Sequence, residues 1–160
     1  MATQVRRSPR VPAFVGVFNP IARRLLHAGL PLGPNALLTV RGRKSGLART
    51  TPVALVEVAG RRWIIGTFGE VNWVRNLRAA GEATLTVSRR RETVAAVELS
   101  TEEAANFFTE VLGPYVRRLR IGRWLLGSLG ATDILDEPKV AAARHPVFEI
   151  DREHAPDQSR

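Results

Sequence analysis

The chain has 160 residues, 44% of them hydrophobic, a formal net charge of +9 and no cysteine. Its length fits one domain with a proper core. The missing cysteine excludes thiol nucleophiles, disulfides, iron–sulfur ligation and thiolate zinc sites, in keeping with a reducing, cytoplasmic setting. The charge is uneven: the first 56 residues hold nine basic side chains and no carboxylate, whereas from Glu57 onward fifteen basic residues face fifteen acidic ones. A charge gathered around Gly42 to Gly46 points to one anionic ligand held in one place. His27, His145 and His154 are too scattered for a metal cluster. No apolar run approaches the roughly 20 residues of a membrane span.

Residues 1–12, with three arginines and two prolines, read as a flexible basic arm, and 153–160 as a polar tail around a single domain at 13–152. Asn19-Pro20 supplies an N-cap and a first-turn proline, Gly29 a stop, and Ile21, Ala22, Leu25 and Leu26 one apolar face, so a short amphipathic helix is predicted. Ala36 to Arg41 is predicted as a strand, Gly42 to Ala48 as the reversing loop, Arg49 to Val58 as the next strand, and Arg62 to Thr67 as a third after the Ala59-Gly60 turn. Val71 to Ala80 reads as a helix capped by Gly81. Ala83 to Ser88 and Thr93 to Leu99 read as a hairpin about the arginine turn 89–91. Ser100 to Glu103 forms a capping box, opening a helix that Gly113-Pro114 should break. A further helical stretch runs from Tyr115 to about Leu126, and Pro146 to Ile150 is a late strand. Strands joined by short loops without βαβ alternation predict an α+β, mainly β, fold: a small antiparallel barrel with peripheral helices.

Three constellations carry chemistry. In Arg43-Lys44-Ser45 a guanidinium, an ammonium and glycine-flanked backbone N–H groups suit a phosphate or carboxylate, with Arg49 able to point back at the same anion. The competing reading is a solvated turn. The loop is not a Walker loop, because Leu38 stands where its first glycine is required and a strand follows. Gly66-Thr67-Phe68-Gly69 at a strand end leaves room for a flat ligand, and Trp73 and Asn76, three apart on a helix, offer a ring and an amide. The competing reading places Trp73 in the core. Tyr115, the one tyrosine, is a protonated phenol able to donate to a developing oxyanion, or a packing residue. No Ser-His-Asp order is legible, so an enzyme built on this chain would lean on a bound cofactor.

Leu37 to Pro52, L-L-T-V-R-G-R-K-S-G-L-A-R-T-T-P, and Gly66 to Arg78, G-T-F-G-E-V-N-W-V-R-N-L-R, in this order and separation, resemble the deazaflavin-dependent nitroreductase and quinone reductase family of actinobacteria. The resemblance covers residues 15 to 125. It implies an antiparallel split β-barrel of the FMN-binding, pyridoxamine-phosphate-oxidase-like type, and the 8-hydroxy-5-deazaflavin coenzyme F-420 with its anionic phosphate and polyglutamate tail. By the resemblance, Arg43, Lys44, Ser45 and Arg49 hold that tail beside Thr51 and Pro52. Gly66, Thr67 and Phe68, with Asn72, Trp73 and Asn76, lie beside the deazaflavin ring, and Tyr115 lies on the substrate side.

The function so implied is transfer of a hydride from the reduced coenzyme to a small hydrophobic acceptor, a quinone, nitroaromatic or enone. FMN, whose phosphate also suits the basic loop, is the alternative cofactor. A non-catalytic lipid or fatty-acid carrier is the alternative of another class, motivated by the basic amphipathic first helix and by Arg117, Arg118, Arg120 and Arg123; peripheral membrane contact of the N-terminal region belongs with it. Nucleic acid is not an expected partner, since net charge alone speaks for it. Barrels of this type often pair as homodimers, but no self-complementary surface is legible.

Overall fold

A computed structural model describes residues 36–119, 122–128 and 130–152. The basic arm, the first amphipathic helix and the polar tail lie outside the described residues. Strand β1 (Ala36–Arg41) alternates buried and half-buried positions, as a strand with one core face must. It pairs antiparallel with β2 (Ala48–Val58), and β2 with β3 (Arg61–Ile65), giving the meander expected from the sequence. Helix α1 (Asn72–Ala80) leads to the hairpin of β4 (Glu82–Val87) and β5 (Arg90–Glu98). The last strand, β6 (Val147–Arg152), inserts between β3 and β5, and β4 returns to β1. The six strands form a closed antiparallel barrel in the order β1-β2-β3-β6-β5-β4, the fold class read from the sequence.

Strand period two sends neighbouring residues to opposite sides of this wall. Leu38, Val53, Leu55, Ile64, Leu85, Val94, Phe148 and Ile150 fill the interior, joined by Val74 and Leu77 of α1. Val56, Trp63, Ile65 and Val147 instead meet a helical layer. That layer comprises α2 (Thr101–Asn106), a π-helical segment Phe107–Leu112, α3 (Gly113–Arg118), α4 (Gly122–Ser128), α5 (Asp133–Asp136) and α6 (Pro138–Arg144). The Phe107 ring sits 4.9 Å from Trp63 and 5.7 Å from Phe108. The capping box opens α2: the Ser100 N–H donates to Glu103 Oε2 at 2.7 Å and the Glu103 N–H to Ser100 Oγ at 3.2 Å.

Gly113-Pro114 does not break the helix, contrary to the sequence expectation. Proline lacks an N–H, and in an α-helix its ring would strike the carbonyl four residues back. The chain widens to π geometry instead, and the Gly113 N–H reaches Phe108 O. An added Cβ at Gly113 would lie 3.0 Å from that oxygen, so the glycine permits the wider turn. The actual break comes at Leu119, which adopts extended backbone between α3 and α4. The β4–β5 turn is also tighter than expected, because Ser88 and Arg89, at φ 46° and 69°, form the two-residue tip while Arg90 and Arg91 already belong to β5. Helices α5 and α6 were not anticipated.

Phe148 is 1% exposed and packs on Trp73, ring centroids 6.2 Å apart, joining the late strand to α1. Phe148→Ala should lower stability by about 3–5 kcal/mol in urea unfolding and flatten the near-ultraviolet circular dichroism of the tryptophans. A loss under about 1 kcal/mol would show that Phe148 is not a core anchor.

Candidate functional site

The turn between β1 and β2 folds on itself. The Gly42 N–H donates to Leu47 O and the Gly46 N–H to Gly42 O, both at 2.8 Å, while Ser45 Oγ accepts from the Leu47 N–H at 3.3 Å. A Cβ at Gly42 would meet Ser45 Oγ at 2.8 Å and Leu47 O at 3.2 Å, so a larger residue would push on this loop. Arg43, Lys44, Ser45 and Leu47 are exposed at its tip. The loop is held from outside by α1: the Arg43 backbone N–H and Nη1 both donate to Asn76 Oδ1, at 3.2 and 2.9 Å. Asn76 is 6% exposed, so two segments singled out separately in the sequence meet through a largely buried amide.

Register places the remaining loop-side residues. Arg49 lies opposite Val40 and Thr51 opposite Leu38, on the face that runs into the barrel interior. Pro52 lies opposite Leu37 on the outer face, where Thr39 and Thr50 share a 2.8 Å hydroxyl hydrogen bond. Arg41 ends β1 beside this group and is a site candidate that the sequence reading did not single out. Its signal was present, since it belongs to the acid-free segment.

The cations divide by partner, although Arg89, Arg90 and Arg91 at the β4–β5 hairpin and Arg117 and Arg118 on α3 also lack a carboxylate among the described residues. Arg61, Arg62, Arg78, Arg123 and Arg144 each pair with a carboxylate. Among the described residues, Arg41, Arg43, Lys44 and Arg49 pair with none. Four neighbouring cations without internal counter-charge repel one another and favour a multiply anionic ligand.

The second constellation behaves differently from its sequence expectation. Gly66 donates to Pro146 O at 2.7 Å, Gly69 to Gly66 O at 2.9 Å, and Val71 to Gly69 O at 2.9 Å. A Cβ at Gly66 would lie 3.1 Å from Val74 Cγ2 and 3.3 Å from both Gly69 O and Pro146 Cδ. The space that the missing side chain leaves is therefore taken by α1 and Pro146, where the sequence reading reserved it for a flat ligand. Thr67 is half-buried, and Phe68, at 62%, is among the most exposed apolar side chains described. Asn72 is exposed at the start of α1; Trp73 is half-buried against Phe148. Val71 offers α1 no capping side chain, so among the described residues no side chain caps its first-turn N–H groups.

Tyr115 belongs to the helical-layer cluster. It starts α3, and burial there raises its phenol above the ordinary value and keeps it protonated. Among the described residues no group of three or more His, Asp or Glu could hold a metal ion, and no helix is long and apolar enough to cross a membrane.

Residues 23–118 match the sequence profile described as F420H(2)-dependent quinone reductase. The chain belongs to that family. Family membership covers both the loop and α1. No curated protein matches the chain. Among solved structures it is similar to an F420-H2 dependent reductase, FDR-A, with 23% identity over 72% of this chain and 92% of that one, at a TM-score of 0.43. It is also similar to Atu2129 of Agrobacterium tumefaciens, a protein of unknown function (19% identity, 92% and 57% covered, TM-score 0.47), and to Rv2991 of Mycobacterium tuberculosis (12%, 84% and 79%, 0.44).

Arg78 braces this end of the family fold. It donates to Glu98 at 2.5 and 2.7 Å and to Glu70 at 2.9 Å, tying α1 to β5 and to the loop before the helix. The hydrogen bond from Arg78, then its charge, holds the Glu70 carboxyl below its ordinary value. A depressed carboxylate contributes stability above its unfolded pKa and loses it as pH falls through the folded one. Arg78→Met should therefore be less stable than wild type at pH 7, with the gap narrowing as pH falls below about 4.5. Urea unfolding at pH 7, 5, 4 and 3 reads this, and a gap independent of pH would remove the ion pair as its cause.

Proposed function

We propose that the chain is a reductase that binds coenzyme F-420 at the β1–β2 loop and reduces a small hydrophobic acceptor, a quinone, nitroaromatic or enone. The observation that supports this most is the group of four cations without carboxylate partners, in a chain whose family is F420H(2)-dependent. The donor set fits the coenzyme's tail: guanidinium forks and an ammonium match phosphate and carboxylate oxygens. In this reading Arg43, Lys44 and Arg49, with Arg41, grip the tail, and Ser45, Thr51 and Pro52 border it. Thr67, Phe68, Asn72 and Trp73 border the ring, and Gly66 shapes the strand end that carries them.

When bound, the reduced deazaflavin supplies a hydride. The residues of the chain position and stabilise. Exposed Phe68 and Leu47 offer apolar surface to a flat acceptor and shed water from it. The uncapped N–H groups of α1 are donors for the acceptor oxygen that gains negative charge. Tyr115, kept protonated, is the side-chain alternative for that role. A hydrophobic acceptor would be met at a membrane surface, which the peripheral contact expected of the N-terminal region would serve.

Titration with oxidised and reduced coenzyme F-420, followed by tryptophan fluorescence, tests the reading, with FMN as the competing ligand. Quenching by the deazaflavin and a weaker response to FMN are expected. The double variant Lys44→Ala with Arg49→Ala should weaken coenzyme affinity by about tenfold or more and flatten its salt dependence. Unchanged affinity in a folded double variant would sink the site assignment.

A further inference from the structure

The hydrogen bonds to Asn76 fix which way its amide points. Both groups that meet it, the Arg43 backbone N–H and Nη1, are donors and can only address an oxygen. Oδ1 therefore faces the loop, and Nδ2 with its two N–H groups faces the other way. Nδ2 has no partner among the described residues. It is not sealed off either, since among the described residues the fully buried side-chain polar atom without a partner is His145 Nδ1. A side chain 6% exposed thus keeps its one acceptor for the protein and presents its donors outward, beside a loop of unpaired cations.

We infer that Asn76 is a two-sided positioning residue: Oδ1 locks the β1–β2 loop, and Nδ2 donates to a phosphate or carbonyl oxygen of the ligand that the loop cations attract. The donor half rests on the coenzyme-site reading above; the clamp half stands on the free protein. A division of labour among the cations follows. Arg43 has one guanidinium nitrogen and its backbone N–H committed to the clamp, so Lys44 and Arg49 are the more fully available anion ligands. It also follows that a neutral amide suits this position better than a carboxylate. Aspartate would accept from Arg43 equally well, but would set a negative charge against the ligand and remove both donors.

Amide exchange of the free protein reads the clamp, and coenzyme titration reads the donor. Asn76→Leu should speed exchange of the Arg43 amide about tenfold or more; should that variant not fold, Asn76→Ala serves in its place. Asn76→Asp keeps an acceptor for Arg43, so exchange stays slow, yet its affinity for coenzyme F-420 should fall about tenfold or more, with the larger loss at low salt. A residue that acted only as a clamp would lose affinity in Asn76→Asp through the added charge alone and recover it at high salt, whereas a loss that persists at high salt reads the missing donors. Unchanged Arg43 exchange in Asn76→Leu overturns the clamp, and wild-type coenzyme affinity of Asn76→Asp at high salt overturns the donor. If the wild-type chain binds no coenzyme, the site reading and the donor role fall together, while exchange still decides the clamp.

Discussion

Insertion of β6 between β3 and β5 is the constraint on which the rest of the molecule depends. Without Val147–Arg152 the β3 and β5 edges would stand open, and the interior would lose Phe148 and Ile150. The residues just before β6 reach the candidate site directly. Pro146 O accepts from Gly66, and the Arg144 carbonyl lies 3.3 Å from where a Cβ on Gly69 would stand. Closing the barrel therefore also sets the loop that launches α1. Because β6 pairs with a strand more than 80 residues earlier in the chain, a large loop-closure entropy must be met before these contacts form. The site thus depends on long-range pairing.

Above this frame the charges divide by role. Arg61, Arg62, Arg78, Arg123 and Arg144 engage carboxylates within the described structure and brace it, as Arg61 does with Glu149 across β3 and β6. Arg62 and Glu92 pair in the same way from β3 to β5. Among the described residues the loop cations brace nothing through carboxylates; the loop is held by its own backbone hydrogen bonds, by Ser45 Oγ and by Asn76. Holding charge in place with a neutral acceptor leaves that charge available. A carboxylate clamp would have spent it.

How much was legible in the sequence follows the range of the interactions. β1, β2, α1 and the capping box at Ser100 are local patterns, and each lies within two residues of where the pattern put it. The cationic loop was legible because composition alone isolates it. The link from Arg43 to Asn76 spans 33 residues and leaves no periodic trace, so the sequence pointed to the amide beside Trp73 but not to its tie to the loop. Gly66 carries a related ambiguity: a glycine marks close approach, and the sequence does not say that Val74 and Pro146 are what approach it here. The π-helical segment hid behind a rule that holds for α-helices, that Gly-Pro ends them. Helix α6 did carry a signal, proline at its first position, but at seven residues it offered little periodicity beside it.

The acidic residues at this end of the barrel complete the electrostatic argument. Glu70 and Glu98 border α1, which also holds the loop, and two free carboxylates there would offset part of the attraction that the loop exerts on an anion. Arg78 engages both, and its own guanidinium is in turn held charged by them, well above its ordinary range. The arrangement is an internally neutralising group on one side of the helix and an unneutralised one at Arg43 on the other. Because Coulomb interactions at exposed sites weaken within about 10 Å at ordinary salt, this local pairing matters more for the ligand than the net charge of the chain. The +9 of the whole chain would draw any polyanion close. It is the separation of paired from unpaired arginines about one helix that gives an anion a defined place to stop.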